Sequence, residues 1–293
     1  MILVAGGTGL LGRQVVAQLL AAGESVRVLT RDEANARRLL GEHVEIAVGD
    51  VRQPATLALA VRGASVVVSA VHGFLGGRGA GPTEIDVQGN AALSSAAKTA
   101  GADVVMISVL GASPASPIEL FRAKYAAEEQ LRHSGAAWTI VRPAAYLETW
   151  IDIMRQTAKK SGRPMVFGKG EQLIAFVSAT DVAGVVTRAV TDPSLRSQIL
   201  EVSGPRITMS EVAEHVQRAD GRTTAARHIP RLMLRMTSVL TRPVAPSFAR
   251  MNEAALVMDT TDLGGAAGDA LARLSLPAAR RLSTVLGDPA NSI

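Results

Sequence analysis

Three glycines spaced three apart open the chain. Gly6, Gly9 and Gly12 stand in the run Gly6-Gly7-Thr8-Gly9-Leu10-Leu11-Gly12. An apolar stretch at 2–5 precedes the run, and a helical pattern carried by Leu11, Val15 and Leu19 follows it. A turn of this kind lets backbone touch a pyrophosphate, and the helix it opens offers free N–H groups to anionic oxygens. Between a buried strand and an amphipathic helix, the pattern is a dinucleotide-binding signature. The expected contacts are Gly6, Thr8, Gly9, Leu10, Leu11 and Gly12. The plain alternative is an ordinary glycine turn.

The end of the second apolar run selects the dinucleotide. In Val28-Leu29-Thr30-Arg31-Asp32, Thr30 stands where an acid would bind a ribose 2′-hydroxyl, and Arg31 follows. A guanidinium can clamp a 2′-phosphate at two points, so the expected cofactor is NADP, as NADPH. An inward-pointing Asp32 would weaken that preference, and the plain role for Arg31 is a solvated surface arginine. Asp50-Val51 ends the third run. Asp50 suits the adenine amino group or, equally, a cap on the following helix. Ser69-Ala70-Val71 ends the fourth run, and its backbone should line the cofactor.

Such residues need a scaffold that gathers strand ends at one edge. Apolar runs at 2–5, 26–29, 44–48, 65–70, 104–108 and 138–142 read as strands. Helical patterns fall between them at about 33–40, 54–62, 84–100 and 117–134. Thr83 with Asp86 resembles a capping box opening the third of these. Strands alternating with helices make a parallel sheet with right-handed crossovers. Strands that are apolar throughout are covered on both faces. The predicted fold is therefore α/β, a Rossmann-type doubly wound parallel sheet.

After Pro143 the rhythm changes. A helix is expected over 147–160 and strands over 165–168 and 174–178. A helix capped by Thr180 or Asp181 should run to Val190, followed by a strand at 199–203. Thr208 and Glu211 form a capping-box pattern that opens a helix to about Ala219. The expected division is a Rossmann core over 1–145 and a smaller, interleaved C-terminal substrate lobe over 146–293. Sheet elements should return near 174–203. The tail beyond about Gly264 should pack as helices or fray.

Composition narrows the function classes. With 47% apolar but only 3% aromatic residues, Ala, Val and Leu must fill the core. The absence of cysteine excludes disulfides, thiolate metal sites and a Cys nucleophile, and it fits a reducing, cytoplasmic location. The five histidines form no i,i+4 pair, so no metal site is expected. No leader and no membrane span is expected either. A net charge of +5 suits an anionic ligand. Nucleic acid is not expected, for want of a motif or stacking aromatics. A homo-oligomer stays open.

Several segments together resemble the NmrA-like, atypical branch of the short-chain dehydrogenase/reductases. They are VAGGTGLLGRQVV, TEIDVQGNAAL, VVMISVLGA, KYAAEEQLRHSGAAWTIVRPAAYLETW, FVSATDVAGVVTRAV and ILEVSGP. The likeness covers roughly residues 1–260. It implies a Rossmann core, NAD(P)H binding and a small C-terminal substrate lobe. The family includes reductases and also proteins that bind the cofactor without known turnover.

The wider superfamily uses a Tyr-x-x-x-Lys pair and a serine. Lys124 matches the lysine, but Leu120 stands where the tyrosine would, and Tyr125 points elsewhere on the helix. Ser108 is the candidate serine. Three readings follow. Lys124 could act as acid or base itself, as in resembling reductases of plant phenylpropanoid metabolism. Tyr146 could supply the hydroxyl from the loop after the sixth strand, where similar sequences more often have Phe. Or Lys124 only holds the ribose and nothing is catalysed.

The substrate side offers two segments. His72 to Pro82 holds five glycines and reads either as a closing loop over the nicotinamide or as a floppy surface loop. From His228 to Arg250 the chain is basic and apolar together. Ile229, Leu232, Met233, Met236, Val239 and Leu240 can share one helix face, with Arg231, Arg235 and Arg242 toward another. That segment reads as a half-buried lobe helix, as a Met-rich wall for an apolar substrate, or as a contact for a membrane surface or partner subunit. Trp150, Phe167 and Phe176 could add to an apolar pocket. The expected function is an NADPH-dependent oxidoreductase reducing a carbonyl, enone or quinone of an apolar small molecule. The alternative is a non-catalytic NADP(H)-binding sensor or scaffold.

Overall fold

The computed structural model describes residues 1–263 and 268–287. Its first half runs β1 (Ile2–Ala5), α1 (Leu10–Ala21), β2 (Val26–Thr30), α2 (Glu33–Leu40), β3 (Glu45–Val48), α3 (Pro54–Ala60), β4 (Val66–Ser69), α4 (Asn90–Thr99), β5 (Asp103–Ile107), α5 (Glu119–His133) and β6 (Trp138–Pro143). Then come β7 (Ala145–Tyr146), α6 (Leu147–Ser161), β8 (Met165–Phe167), β9 (Leu173–Val177), α7 (Ala179–Thr191) and β10 (Gln198–Val202). The chain continues through β11 (Arg206–Thr208), α8 (Met209–Ala219), β12 (Arg227–Ile229), α9 (Arg231–Thr241), α10 (Pro246–Thr260), α11 (Ala270–Arg273) and α12 (Leu282–Gly287).

Seven strands form one parallel sheet in the order β10-β6-β5-β4-β1-β2-β3. The order reverses between β1 and β4, which opens a crevice at the carboxyl ends of those strands. Successive side chains of each strand serve opposite faces. Ile2, Val4, Val28, Val68 and Val105 pack with α1 and α7 on one side. Leu3, Ala5, Leu29, Val67 and Val104 pack with α3, α4 and α5 on the other. Both faces are covered, which is why the strands are apolar throughout.

Of the elements expected to return near 174–203, only β10 enters this sheet. β9 pairs instead with β11 and β7 in a small sheet of its own. Two expected caps also differ. Ser178, rather than Thr180 or Asp181, caps α7, its hydroxyl accepting from Thr180 N. Asp181 turns away to accept from Arg280 N at 2.7 Å. The helix leading into α4 starts as a π-turn over Thr83–Gly89 with no side-chain cap. The widened turn carries Asp86 inward, where it is fully buried, so Thr83 and Asp86 form no capping box. Thr208 and Glu211 do form one at α8.

The basic segment 228–250 does not make one half-buried helix. Pro230 precedes α9, and Pro243 and Pro246 separate it from α10. Most of the expected apolar face of α9 points to solvent. In the tail, α11 and α12 are helical, while Gly264 lies outside the described residues. Among the described residues no helix is long and apolar enough to cross a membrane.

Candidate functional site

The glycine turn sits in the crevice between β1 and β4. Gly6 has φ +84°, and a Cβ there would lie 2.6 Å from the Ala70 carbonyl oxygen. At Gly12 a Cβ would lie 2.1 Å from the Gly6 oxygen. The fold itself requires these two residues to be glycine. Gly9 is different: it is exposed, and a Cβ would meet nothing closer than Gly6 O at 3.3 Å. Gly9 also opens α1 with no side-chain cap and no acid in the first turn. Among the described residues, nothing accepts from the N–H groups of Leu10, Leu11 and Gly12. An uncapped helix start beside an exposed glycine is a place for phosphate oxygens. Thr8 and Leu10 are half-buried beside it, and Leu11 anchors α1 in the core.

At the end of β2, Arg31 is exposed and makes no hydrogen bond or ion pair with the described residues. The Asp32 carboxylate caps α2 by accepting from Asn35 N at 2.9 Å, which turns it away from the ribose position. Thr30 is buried and its hydroxyl accepts from Asp32 N. A guanidinium without a partner and a carboxylate facing elsewhere fit a phosphate on the 2′-oxygen.

Asp50 is bonded to its neighbour Arg52 and does not cap the following helix. Its carboxylate accepts from Arg52 N at 2.9 Å, Arg52 Nε at 3.1 Å and Arg52 Nη2 at 2.5 Å. These bonds keep its carboxyl below the usual range. Gln53, not Asp50, stands at the cap of α3. Val51 is buried against the π-turn, where a Cβ on Gly89 would come within 2.8 Å of it. Ser69 donates to Asn90 Oδ1 at 2.5 Å, and Val71 offers its carbonyl to Lys124.

Lys124 is buried and tied to three groups. Its Nζ donates to Val71 O and Ile107 O, each at 2.9 Å, and pairs with Asp86 Oδ1 at 2.8 Å. The other Asp86 oxygen accepts from Gly73 N at 2.8 Å. One ammonium thus ties the ends of β4 and β5 to the π-turn. Ser108 is occupied as well: its hydroxyl donates to Glu128, which Arg142 holds at 2.9 and 2.6 Å. Tyr146 is the contrast. Its hydroxyl oxygen is buried and has no partner. Burial, reinforced by the charge of Glu148, raises its pKa, so it stays a protonated donor.

The glycine-rich loop at 72–82 is bonded to several side chains around it. Gly73 is held by Asp86. Arg250 donates to the Phe74 carbonyl at 3.0 Å and to that of Gly76. Arg52 reaches the Gly79 carbonyl at 3.0 Å, and Arg78 donates to Pro243 O. His72 is exposed. Sequence reading gives Asp86 only a capping role and gives Arg52 and Arg250 no role at the site. TEIDVQG contains Asp86, but its spacing from Thr83 imitates a cap. Trp150 and Phe167 meet edge-to-face at 6.3 Å inside the lobe, beside a small cavity shared with Met209 and Asp259, and Phe176 is fully buried.

Comparisons with known proteins agree with this geometry. A family model described as NAD(P)H-binding matches residues 6–193. The chain is 36% identical over 225 residues to an NAD(P)H azoreductase of Xenophilus azovorans, covering 76% of this chain and 74% of that one. It is 30% identical over 227 residues to a (4-alkanoyl-5-oxo-2,5-dihydrofuran-3-yl)methyl phosphate reductase of Streptomyces griseus, covering 76% and 74%. An NADPH-dependent quinone oxidoreductase of Escherichia coli, solved with NADPH, shares the fold with a TM-score of 0.79 at 19% identity, over 98% of both chains. The chain belongs to the NAD(P)H-binding family.

Proposed function

We propose that the protein is an NADPH-dependent reductase whose acceptor is the carbonyl, enone or quinone group of an apolar small molecule. The observation that carries this is the open anion-binding edge. The start of α1 has unpaired N–H groups, and Arg31 stands unpartnered one strand away, with Asp32 turned aside. The azoreductase and dihydrofuranyl phosphate reductase relatives support a reductase of small molecules.

Each part of the chain has a role in this reading. The start of α1 takes the pyrophosphate, and Gly9 lets it approach. Arg31 takes the 2′-phosphate. Bound NADPH supplies the hydride. Tyr146, kept protonated, would donate a hydrogen bond to the acceptor oxygen and polarise it, and the proton that completes reduction would come from solvent. Lys124 acts as a positioning residue, because its ammonium already donates to the Val71 and Ile107 carbonyls and pairs with Asp86. Ser108 serves the Glu128–Arg142 cluster rather than the acceptor. The reducing cytoplasm suits a chain without cysteine.

The test is a titration with NADPH and NADH followed by a screen of quinones, enones and azo dyes for loss of nicotinamide absorbance. Tighter NADPH binding with turnover of an acceptor is expected. Tight binding with no turnover of any acceptor would overturn the enzyme in favour of a cofactor-reporting sensor.

A further inference from the structure

Helix α9 is packed inside out. Toward α10 it turns Leu234 and Thr237, and the Thr237 hydroxyl accepts from Asn252 Nδ2 at 3.0 Å. Toward solvent it turns Leu232, Met233, Met236, Val239 and Leu240, which are 49–72% exposed. Val244 and Phe248 continue the exposed apolar surface across the turn into α10. A helix on a water-facing surface does the reverse, burying its apolar stripe. A contiguous apolar surface of this kind marks an interaction site.

Charge identifies what the surface meets. From Gly221 to Asn252 the chain carries six arginines and no Asp or Glu, a charge of +6 against +5 for the whole chain. Arg231 is paired with Asp259, and Arg250 holds the glycine-rich loop. Arg227 and Arg235 are exposed and have no ion pair among the described residues, and Arg242 reaches Glu119 only at 4.0 Å. Arg235, Val239 and Arg242 follow one another at helical spacing, so cations and apolar side chains share the outward face. A second copy docked by twofold symmetry would set these arginines against one another with no carboxylate in the segment to answer them. An anionic bilayer answers both features: acyl chains take Leu, Met and Val, and headgroups take the guanidinium groups.

We propose that α9 and the turn into α10 dock the protein on an anionic membrane surface. Because Arg78 of the glycine-rich loop donates to the Pro243 carbonyl in that turn, the docked face adjoins the loop that follows β4. An apolar acceptor then passes from the bilayer to the crevice without crossing water. The contact lies on the membrane, since no described helix is long enough to span one.

Flotation of the intact protein with lipid vesicles tests this. Vesicles of phosphatidylcholine with one third phosphatidylglycerol should carry the protein upward and release it in high salt. Vesicles of phosphatidylcholine alone should carry much less. Arg235→Gln and Arg242→Gln should each weaken partition by roughly fivefold. Val239→Glu with Leu240→Glu should abolish it. NADPH affinity should be unchanged in every variant, which shows that each is folded. No flotation of the parent protein, or equal flotation of all variants, would overturn the proposal. So would a dimer in sedimentation that Val239→Glu dissociates, because the face would then belong to a second copy.

Discussion

Replacing Lys124 by Met should cost the fold far more than a lost surface charge. The Lys124–Asp86 pair is 5% and 0% exposed and 2.8 Å apart. Removing the ammonium leaves the Asp86 carboxylate buried with only Gly73 N for company. It also leaves the Val71 and Ile107 carbonyls without their donor. Breaking a buried pair from one side costs about 3–5 kcal/mol, chiefly from the stranded charge. Asp86→Leu strands the ammonium instead and should cost a similar amount. The double variant removes both charges and should recover most of the loss, leaving about 1–3 kcal/mol for the unsatisfied Gly73 N and the two carbonyls. Denaturant titration of all four proteins closes the cycle, and turnover with NADPH is read alongside. Lys124 as a positioning residue predicts that turnover returns with stability in the double variant. Two results would refute the reasoning. One is a Lys124→Met protein within about 1 kcal/mol of the parent, given the pair's burial. The other is a stable double variant that binds NADPH but has lost turnover, which would return Lys124 to proton transfer.

Other perturbations separate cofactor residues from fold residues. Arg31→Ala should weaken NADPH by about 1.5–3 kcal/mol, a lost charge-assisted contact, and leave NADH nearly unchanged; fluorescence titration with both cofactors reads the difference. Gly9→Ala should cost less stability than Gly12→Ala, since its Cβ would lie 3.3 Å rather than 2.1 Å from Gly6 O, while NADPH affinity falls. Gly12→Ala puts a Cβ 2.1 Å from Gly6 O and should destabilise the fold by about 3 kcal/mol. Tyr146→Phe removes an unpartnered buried hydroxyl, so thermal stability should rise by about 1–3 kcal/mol. Its kcat should fall by roughly a hundredfold with NADPH affinity intact. Asp50 has a depressed pKa because Arg52 bonds it, so its stabilisation is present at neutral pH and is lost as pH falls through the folded value. Melting temperatures from neutral to acidic pH should therefore decline less steeply in Asp50→Asn than in the parent.

What sequence made legible is what short-range physics decides. The glycine turn, the strand runs and the Thr208–Glu211 box each depend on residues within one turn of one another. Wherever the decision belonged to a distant partner, pattern was not enough. Thr83 and Asp86 have capping-box spacing, but Lys124 draws Asp86 inward. The apolar runs of β9 and β10 look alike, yet only β10 finds β6 beside it. The apolar stripe of α9 is plain in sequence, but its outward direction is not, since the helix turns Leu234 and Thr237 toward α10 instead.

The same distinction sorts the site. Ser108 and Lys124 are the residues that position along the chain marks for chemistry, and the fold occupies both, through Glu128 and Asp86. Gly9, Arg31 and Tyr146 are the residues whose properties the fold leaves unused. Gly9 is exposed beside uncapped N–H groups, Arg31 carries a charge without an ion-pair partner among the described residues, and Tyr146 buries a hydroxyl that bonds nothing. The buried Tyr146 hydroxyl has a cost that packing alone does not explain, whereas water answers the exposed Arg31. A dinucleotide with a 2′-phosphate and an acceptor oxygen would satisfy all three.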